Sequence, residues 1–145
     1  MGKTAFLFAG QGAQLPGMGK ELCEASPAAA AVFAAADSVR AGTSQQCFAG
    51  SQEELNRTIN TQPCVYCVDL AAARALEEAG IHPDAVAGFS LGEVAAMTFA
   101  GGFTDADGFS FVCYRAECMD YAAQRIPSGM VAVLKLDNET VEKIC

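Results

Sequence analysis

Val86-Ala87-Gly88-Phe89-Ser90-Leu91-Gly92-Glu93 is the stretch whose reading decides the fold. It has the form Gly-x-Ser-x-Gly. The apolar segment Ala85 to Ala87 ahead of it fits a short buried strand, and Leu91 to Ala100 behind it fits a buried helix stopped by Gly101-Gly102. A serine on a tight strand-to-helix turn sits in a strained backbone, which lifts its hydroxyl clear of the sheet edge. Gly88 and Gly92 are then small because the two segments close in on each other, and the Leu91 N–H opens the helix where an oxyanion would develop. Ser90-x-x-Glu93 is also a capping box, in which serine and glutamate only satisfy the first free N–H groups of the helix. That second reading leaves both glycines unexplained.

Outward from this corner, strand and helix patterns alternate. Thr4 to Phe8 reads as a first strand, running into Gly10-Gln11-Gly12. Leu22 to Glu24 begins helical structure, and Ser26-Pro27 caps an alanine-rich helix to Arg40. Ser51-x-x-Glu54 caps a short helix. Thr61-Gln62-Pro63 starts a longer one to Ala79, with Val65, Val68, Ala72 and Leu76 along one face. Thr104-x-x-Asp107 opens another to about Gln124, with Phe109, Val112, Ala116 and Met119 in line. After the break at Ile126 to Gly129, Met130 to Leu136 reads as a strand and Asp137 caps a last helix. The alternation predicts an α/β fold, a mostly parallel sheet flanked by helices.

The chain has 145 residues, 52% hydrophobic and 18% charged, which suits one globular domain with a real core. Its net charge of −8 argues against a nucleic-acid partner, which would need a basic face. No targeting or membrane-spanning segment is visible, so a soluble cytoplasmic protein is expected. Seven cysteines without regular spacing suit a reducing compartment.

Gly10-Gln11-Gly12 fails two phosphate-loop templates. Leu15 stands where a dinucleotide fingerprint needs glycine, and Gln14 and Glu21 break the Gly-x-x-x-x-Gly-Lys pattern. Such a turn can offer a backbone N–H to an oxyanion, or merely allow a sharp bend. Cys64-Val-Tyr-Cys67 has metal or redox spacing but no second pair, so no metal site is expected and packing is the favoured reading. Arg115 lies on the same helical face as Met119. It reads either as a buried carboxylate site or, more ordinarily, as a side chain snorkelling to solvent. The single histidine, His82, precedes the strand that leads to Ser90, about 20 Å away along the extended path, so it is no base for that serine.

Together these residues resemble the N-terminal half of malonyl-CoA:acyl carrier protein transacylases. The resemblance rests on Phe8-Ala-Gly-Gln-Gly-Ala-Gln14, Thr61-Gln-Pro63, Val86 to Glu93, Tyr114-Arg115 with Met119, and Met130-Val-Ala-Val-Leu134, in order and at family spacing. It implies an α/β-hydrolase-like large subdomain over 1–125 and the start of an inserted ferredoxin-like subdomain over 126–145. It also implies a chain truncated before the family's catalytic histidine. The implied activity is that of an [acyl-carrier-protein] S-malonyltransferase of fatty-acid or polyketide biosynthesis. Ser90 would carry malonyl as an ester from coenzyme A to the phosphopantetheine thiol of acyl carrier protein. Gln11 and Leu91 would supply oxyanion N–H groups. Arg115 would hold the malonyl carboxylate, with Gln62 and Met119 at the substrate site. Malonyl-CoA, acyl carrier protein and the chain's own missing C-terminal half are the implied partners, and no cofactor is implied beyond the two thiol carriers. Phe89, Ala116 and Asp120 depart from the usual family histidine, glycine and glutamine. Two alternatives stay open: an α/β-hydrolase esterase or thioesterase, which needs no Arg115, and a non-catalytic fragment that only binds acyl carrier protein.

Overall fold

The computed structural model describes residues 2–126 and 133–144. Two strands, β1 (Ala5–Phe8) and β2 (Ala85–Gly88), pair in parallel with Ala5 opposite Ala85 and Phe8 opposite Gly88. A parallel pair needs a long crossover, and here the connection carries five helices. These are α1 (Lys20–Ala25), α2 (Pro27–Val39), α3 (Thr43–Ala49), α4 (Gln52–Leu55) and α5 (Thr58–Glu78). After β2 come α6 (Leu91–Phe99), α7 (Asp105–Arg125) and α8 (Asn138–Ile144). The expected α/β alternation with a parallel sheet is therefore present.

Local chemistry sets most of the helix starts. The Ser26, Ser51 and Thr104 side chains each accept from the N–H three residues on, at 3.1 Å in all three cases. Pro27 follows Ser26 at the first helical position, where its missing N–H costs nothing. Asp137 accepts from the Thr140 N–H at 2.8 Å and caps α8. The exposed Asp137 carboxyl is held below its usual range, first by that backbone bond and then by the Thr140 hydroxyl.

Four expectations change. The segment Thr43–Ala49 is helical although it was not expected to be. Helix α5 begins at Thr58 rather than at Thr61, so Pro63 lies in its second turn, at the cost of one backbone hydrogen bond. Its buried residues run from Asn60 to Cys67 and on to Leu70, Ala71 and Ala73, whereas Leu76 is exposed. The reason is that α5 is wrapped by α2, α6 and α7, so a single apolar stripe does not describe it. Of the strand expected over Met130–Leu136, residues 130–132 lie outside the described residues. Val133–Leu136 pairs with no strand among them, and Lys135 has a φ of +63°, which breaks an extended run.

The sheet buries one face. Phe6 and Phe8 point inward and meet Phe99 of α6 at ring-centroid distances of 5.6 and 5.9 Å, while Leu7 on the other face is 80% exposed. A polar knot then locks α5, α6 and α7 together. The Tyr66 hydroxyl donates to Thr98 Oγ1 at 3.1 Å, and Thr98 donates to the Val94 carbonyl at 2.9 Å. Arg74 bridges Asp105 at 3.0 Å and Glu77 at 3.1 Å and lies over the Phe99 ring. Burial pushes the Tyr66 phenol well above its ordinary range, so it stays neutral and donating. This knot fixes the three helices that carry the site.

Candidate active site

Ser90 sits between β2 and α6 with φ 56° and ψ −109°, a conformation that a residue bearing a Cβ rarely adopts. The reason is closeness. A Cβ on Gly88 would lie 2.1 Å from the Gly92 carbonyl carbon, and one on Gly92 would lie 2.4 Å from the Phe8 carbonyl oxygen. Only two glycines let the strand, the turn and the helix share this corner, as the motif demands. The Ser90 side chain makes no capping bond to α6, and Glu93 is exposed. The capping-box reading of this serine therefore fails.

Instead, Ser90 Oγ accepts a hydrogen bond from Arg115 Nη2 at 3.0 Å. Arg115 Nη1 donates to Gln62 Oε1, and Gln62 Nε2 donates to Met119 Sδ at 3.2 Å. Three elements thus contribute: the elbow, the second turn of α5 and the middle of α7. Gln62 is wholly buried, so its amide has no water to turn to and stays aimed at Arg115. The snorkelling alternative for Arg115 does not hold. Its guanidinium points at the serine, with Nη1 on Gln62 and Nη2 on Ser90 Oγ.

The Gly10–Gly12 loop reaches the same corner from β1. The Phe89 N–H donates to the Phe8 carbonyl at 3.1 Å, and a Cβ on Gly10 would lie 2.4 Å from Phe89 Cδ1. Phe89 itself is 74% exposed, its ring laid against this loop. Gly12 has φ +116°, which glycine alone adopts easily, and the Gln11 side chain donates to Thr58 Oγ1 at 3.4 Å. Leu91, fully buried, opens α6 directly after Ser90. The six residues singled out from the sequence, Ser90, Gln11, Leu91, Arg115, Gln62 and Met119, therefore gather at one end of the sheet. His82 lies in the turn before β2, at the opposite end.

Two features near the site were not visible in the sequence. Asp69 on α5 keeps one carboxylate oxygen buried without a partner; burial pushes its pKa up to about 7, and the Ala9 N–H opposes the shift. Gly108 on α7 leaves room for the Tyr66–Thr98 pair, since a Cβ there would lie 2.2 Å from Thr98 Oγ1. A glycine inside an otherwise good helix was the only hint of it.

Comparison with known proteins identifies the family. Residues 5–145 match the acyl transferase domain family. The chain is 41% identical over 145 residues to the malonyl CoA-acyl carrier protein transacylase of Bacillus subtilis (strain 168), covering 99% of this chain and 46% of that protein. The crystal structure of the corresponding protein from Clostridium perfringens superposes with a TM-score of 0.86 at 34% identity, over 99% of this chain and 46% of that one. A type II polyketide-synthase malonyl-transacylase, solved in complex with its acyl-carrier protein, superposes at 0.85 and 33% identity over 98% of this chain and 47% of that one. The chain spans a little under half the length of these relatives. A match that runs from the first strand through the elbow to the end of the sequence places this chain in the acyl transferase domain family.

Proposed function

We propose that this chain carries the acyl-binding and nucleophilic part of a malonyl-CoA:acyl carrier protein transacylase serving fatty-acid or polyketide synthesis. One observation carries the reading: Arg115 is bonded at once to the buried Gln62 and to Ser90 Oγ. An esterase acting on neutral acyl groups has no use for a guanidinium beside its nucleophile. A carboxylate-bearing acyl group needs one there.

In this reading Ser90 Oγ attacks the thioester carbonyl, an ester forms, and the coenzyme A thiolate leaves. The phosphopantetheine thiol of acyl carrier protein then attacks the ester and releases Ser90. The N–H groups of Gln11 and Leu91 stabilise the oxyanion of each tetrahedral intermediate. Arg115 holds the malonyl carboxylate, Gln62 orients Arg115, and Met119 walls the pocket. Arginine has no proton-accepting role at neutral pH, so another group must take the serine proton. His82 does not fit that role, since it lies before β2, at the end of the strand away from Ser90; the family resemblance implies a histidine for it, outside these 145 residues. No bound cofactor or metal takes part.

The same reading divides the chain into residues 1–125 of an α/β-hydrolase-like subdomain and 126–145 of a ferredoxin-like one, in a cytoplasmic protein. The described residues include no helix long and apolar enough to cross a membrane. The experiment mixes the chain with malonyl-CoA and acyl carrier protein and follows thiol release and malonyl transfer. The chain alone should not turn over, since general-base catalysis contributes roughly 10²- to 10⁴-fold. Adding in trans the half of a relative that this chain does not span should restore turnover. Steady turnover by the chain alone, lost in Ser90→Ala, would place the base within these residues.

A further inference from the structure

We propose that Gln14 is a positioning residue for the oxyanion-binding loop: its side-chain amide ties the Gly12 end of that loop to α4 and so fixes how the Gln11 N–H is presented. That presentation matters under the reading above, in which the Gln11 N–H meets the acyl oxygen, and the proposal rests on it. A bond inside the loop comes first. Gln14 Oε1 accepts from the Gly12 N–H at 2.8 Å, with Gly12 at φ +116°. The neighbouring Gln11 N–H donates to no main-chain carbonyl among the described residues. Of two adjacent N–H groups, one is used in shaping the loop and the other is left for an oxyanion.

The other end of the amide reaches outward. Gln14 Nε2 donates to Asn56 Oδ1 at 2.9 Å. Gln52 Nε2 donates to the same Asn56 oxygen at 2.9 Å and to the Gln14 carbonyl at 3.3 Å. Gln52 opens α4 and Asn56 caps its end, so the two stand one turn apart on one face. Gln11 Nε2 adds a longer bond, 3.4 Å, to Thr58 Oγ1 at the start of α5.

Such a brace is only as firm as what it is fixed to. Helix α4 has four residues, too few to hold by themselves. It is pinned from below. Leu55 is fully buried, Asn60 Nδ2 donates to the Glu54 carbonyl at 3.0 Å, and the buried Thr61 hydroxyl donates to the Leu55 carbonyl. Thr61 directly precedes Gln62, the residue bonded to Arg115. The loop and the arginine are therefore both referred to one turn of α5. The amide bonds themselves are exposed and each competes with water, so they add little to stability and act on position.

The test follows acylation of Ser90 in the 145-residue chain by malonyl-CoA and, separately, by p-nitrophenyl acetate, each over a range of concentrations. Intact mass and peptide maps record the ester, with Ser90→Ala as the blank, and NMR follows amide exchange at Gly12. Gln14→Met keeps the side chain's length and removes both amide bonds. It should speed Gly12 exchange and lower the maximal acylation rate about tenfold with both probes, part of the roughly 10²- to 10³-fold that removing an oxyanion donor costs. The half-saturating concentrations and the thermal midpoint should match the parent. Asn56→Ala should lower the rate less, and should add little on top of Gln14→Met. An oxyanion forms from either probe, so an equal loss sets Gln14 apart from Arg115, whose replacement should slow malonyl alone. Unchanged Gly12 exchange in Gln14→Met would overturn the proposal. So would an unchanged maximal rate, a loss confined to malonyl-CoA, or a loss that tracks a fallen thermal midpoint. Acetyl labelling of Ser90 that slows tenfold in Gln14→Met, where malonyl-CoA gives no ester, would uphold the brace and overturn the malonyl reading instead. Labelling of Ser90 by neither probe would overturn both.

Discussion

The two halves of the site are built differently. Gln62, Arg115 and Ser90 form a chain of hydrogen bonds anchored in α5 and α7, helices that the Tyr66–Thr98 knot holds in register. The Gly10–Gly12 loop is exposed at Gln11 and Gly12, and its fixed point is the Phe89 main chain beneath Gly10. The difference teaches where preorganisation comes from. The charged group sits on packed helices, whereas the loop to which the proposed reading gives an oxyanion N–H is glycine-rich backbone.

The largest effect should come from the helical half. In the chain complemented by the remaining half of a relative, Arg115→Ala should cut malonyl transfer by about 2–4 kcal/mol of transition-state binding and acetyl transfer far less. Parallel kcat/KM measurements on the two thioesters check this, and equal losses would mean that the guanidinium does not read the carboxylate.

Glycine substitutions sharpen the contrast within the corner. A methyl at Gly88 meets Gly92 backbone, which cannot step aside, so Gly88→Ala should cost roughly 3 kcal/mol of stability. A methyl at Gly10 meets the exposed Phe89 ring at 2.4 Å, which can swing away, and only grazes the Phe89 carbonyl oxygen at 2.9 Å, so Gly10→Ala should cost less, about 2 kcal/mol. Urea unfolding of both variants measures the difference. Equal costs would mean that the loop is as rigid as the elbow.

The smallest effect concerns Asp69, between the two halves. Unfolded, it titrates near 4, and folded near 7. Between those values the folded state holds the extra proton, so stability falls as pH rises and the loss is complete above pH 7. Asp69→Asn removes the penalty. The variant should exceed the parent by about 1–2 kcal/mol at pH 8 and match it near pH 4. Unfolding curves at the two pH values decide it, and a pH-independent difference would show that the carboxyl is not buried as charged.

What was legible in the sequence was local. The elbow could be read because Gly88 and Gly92 answer a steric problem posed within five residues. The caps at Ser26, Ser51 and Thr104 could be read because each side chain serves an N–H three residues away. Helix α3 was missed because its N-cap, Gly42, offers no side chain to announce it. The start of α5 was misplaced because Arg57 caps it without a side-chain bond, and Pro63 drew attention one turn too late. Gln62 was placed near the site only through resemblance. Its bond to Arg115 spans 53 positions, and no local pattern encodes such a contact.

The central claim is that Ser90 is the residue that becomes acylated, and covalent labelling tests it most directly. The 145-residue chain is incubated with malonyl-CoA, and its intact mass and peptide map are recorded over time. The account predicts slow gain of a single malonyl ester on Ser90, absent from Ser90→Ala and strongly reduced in Arg115→Ala. A malonyl group on any other residue, or an ester that persists in Ser90→Ala, would contradict it.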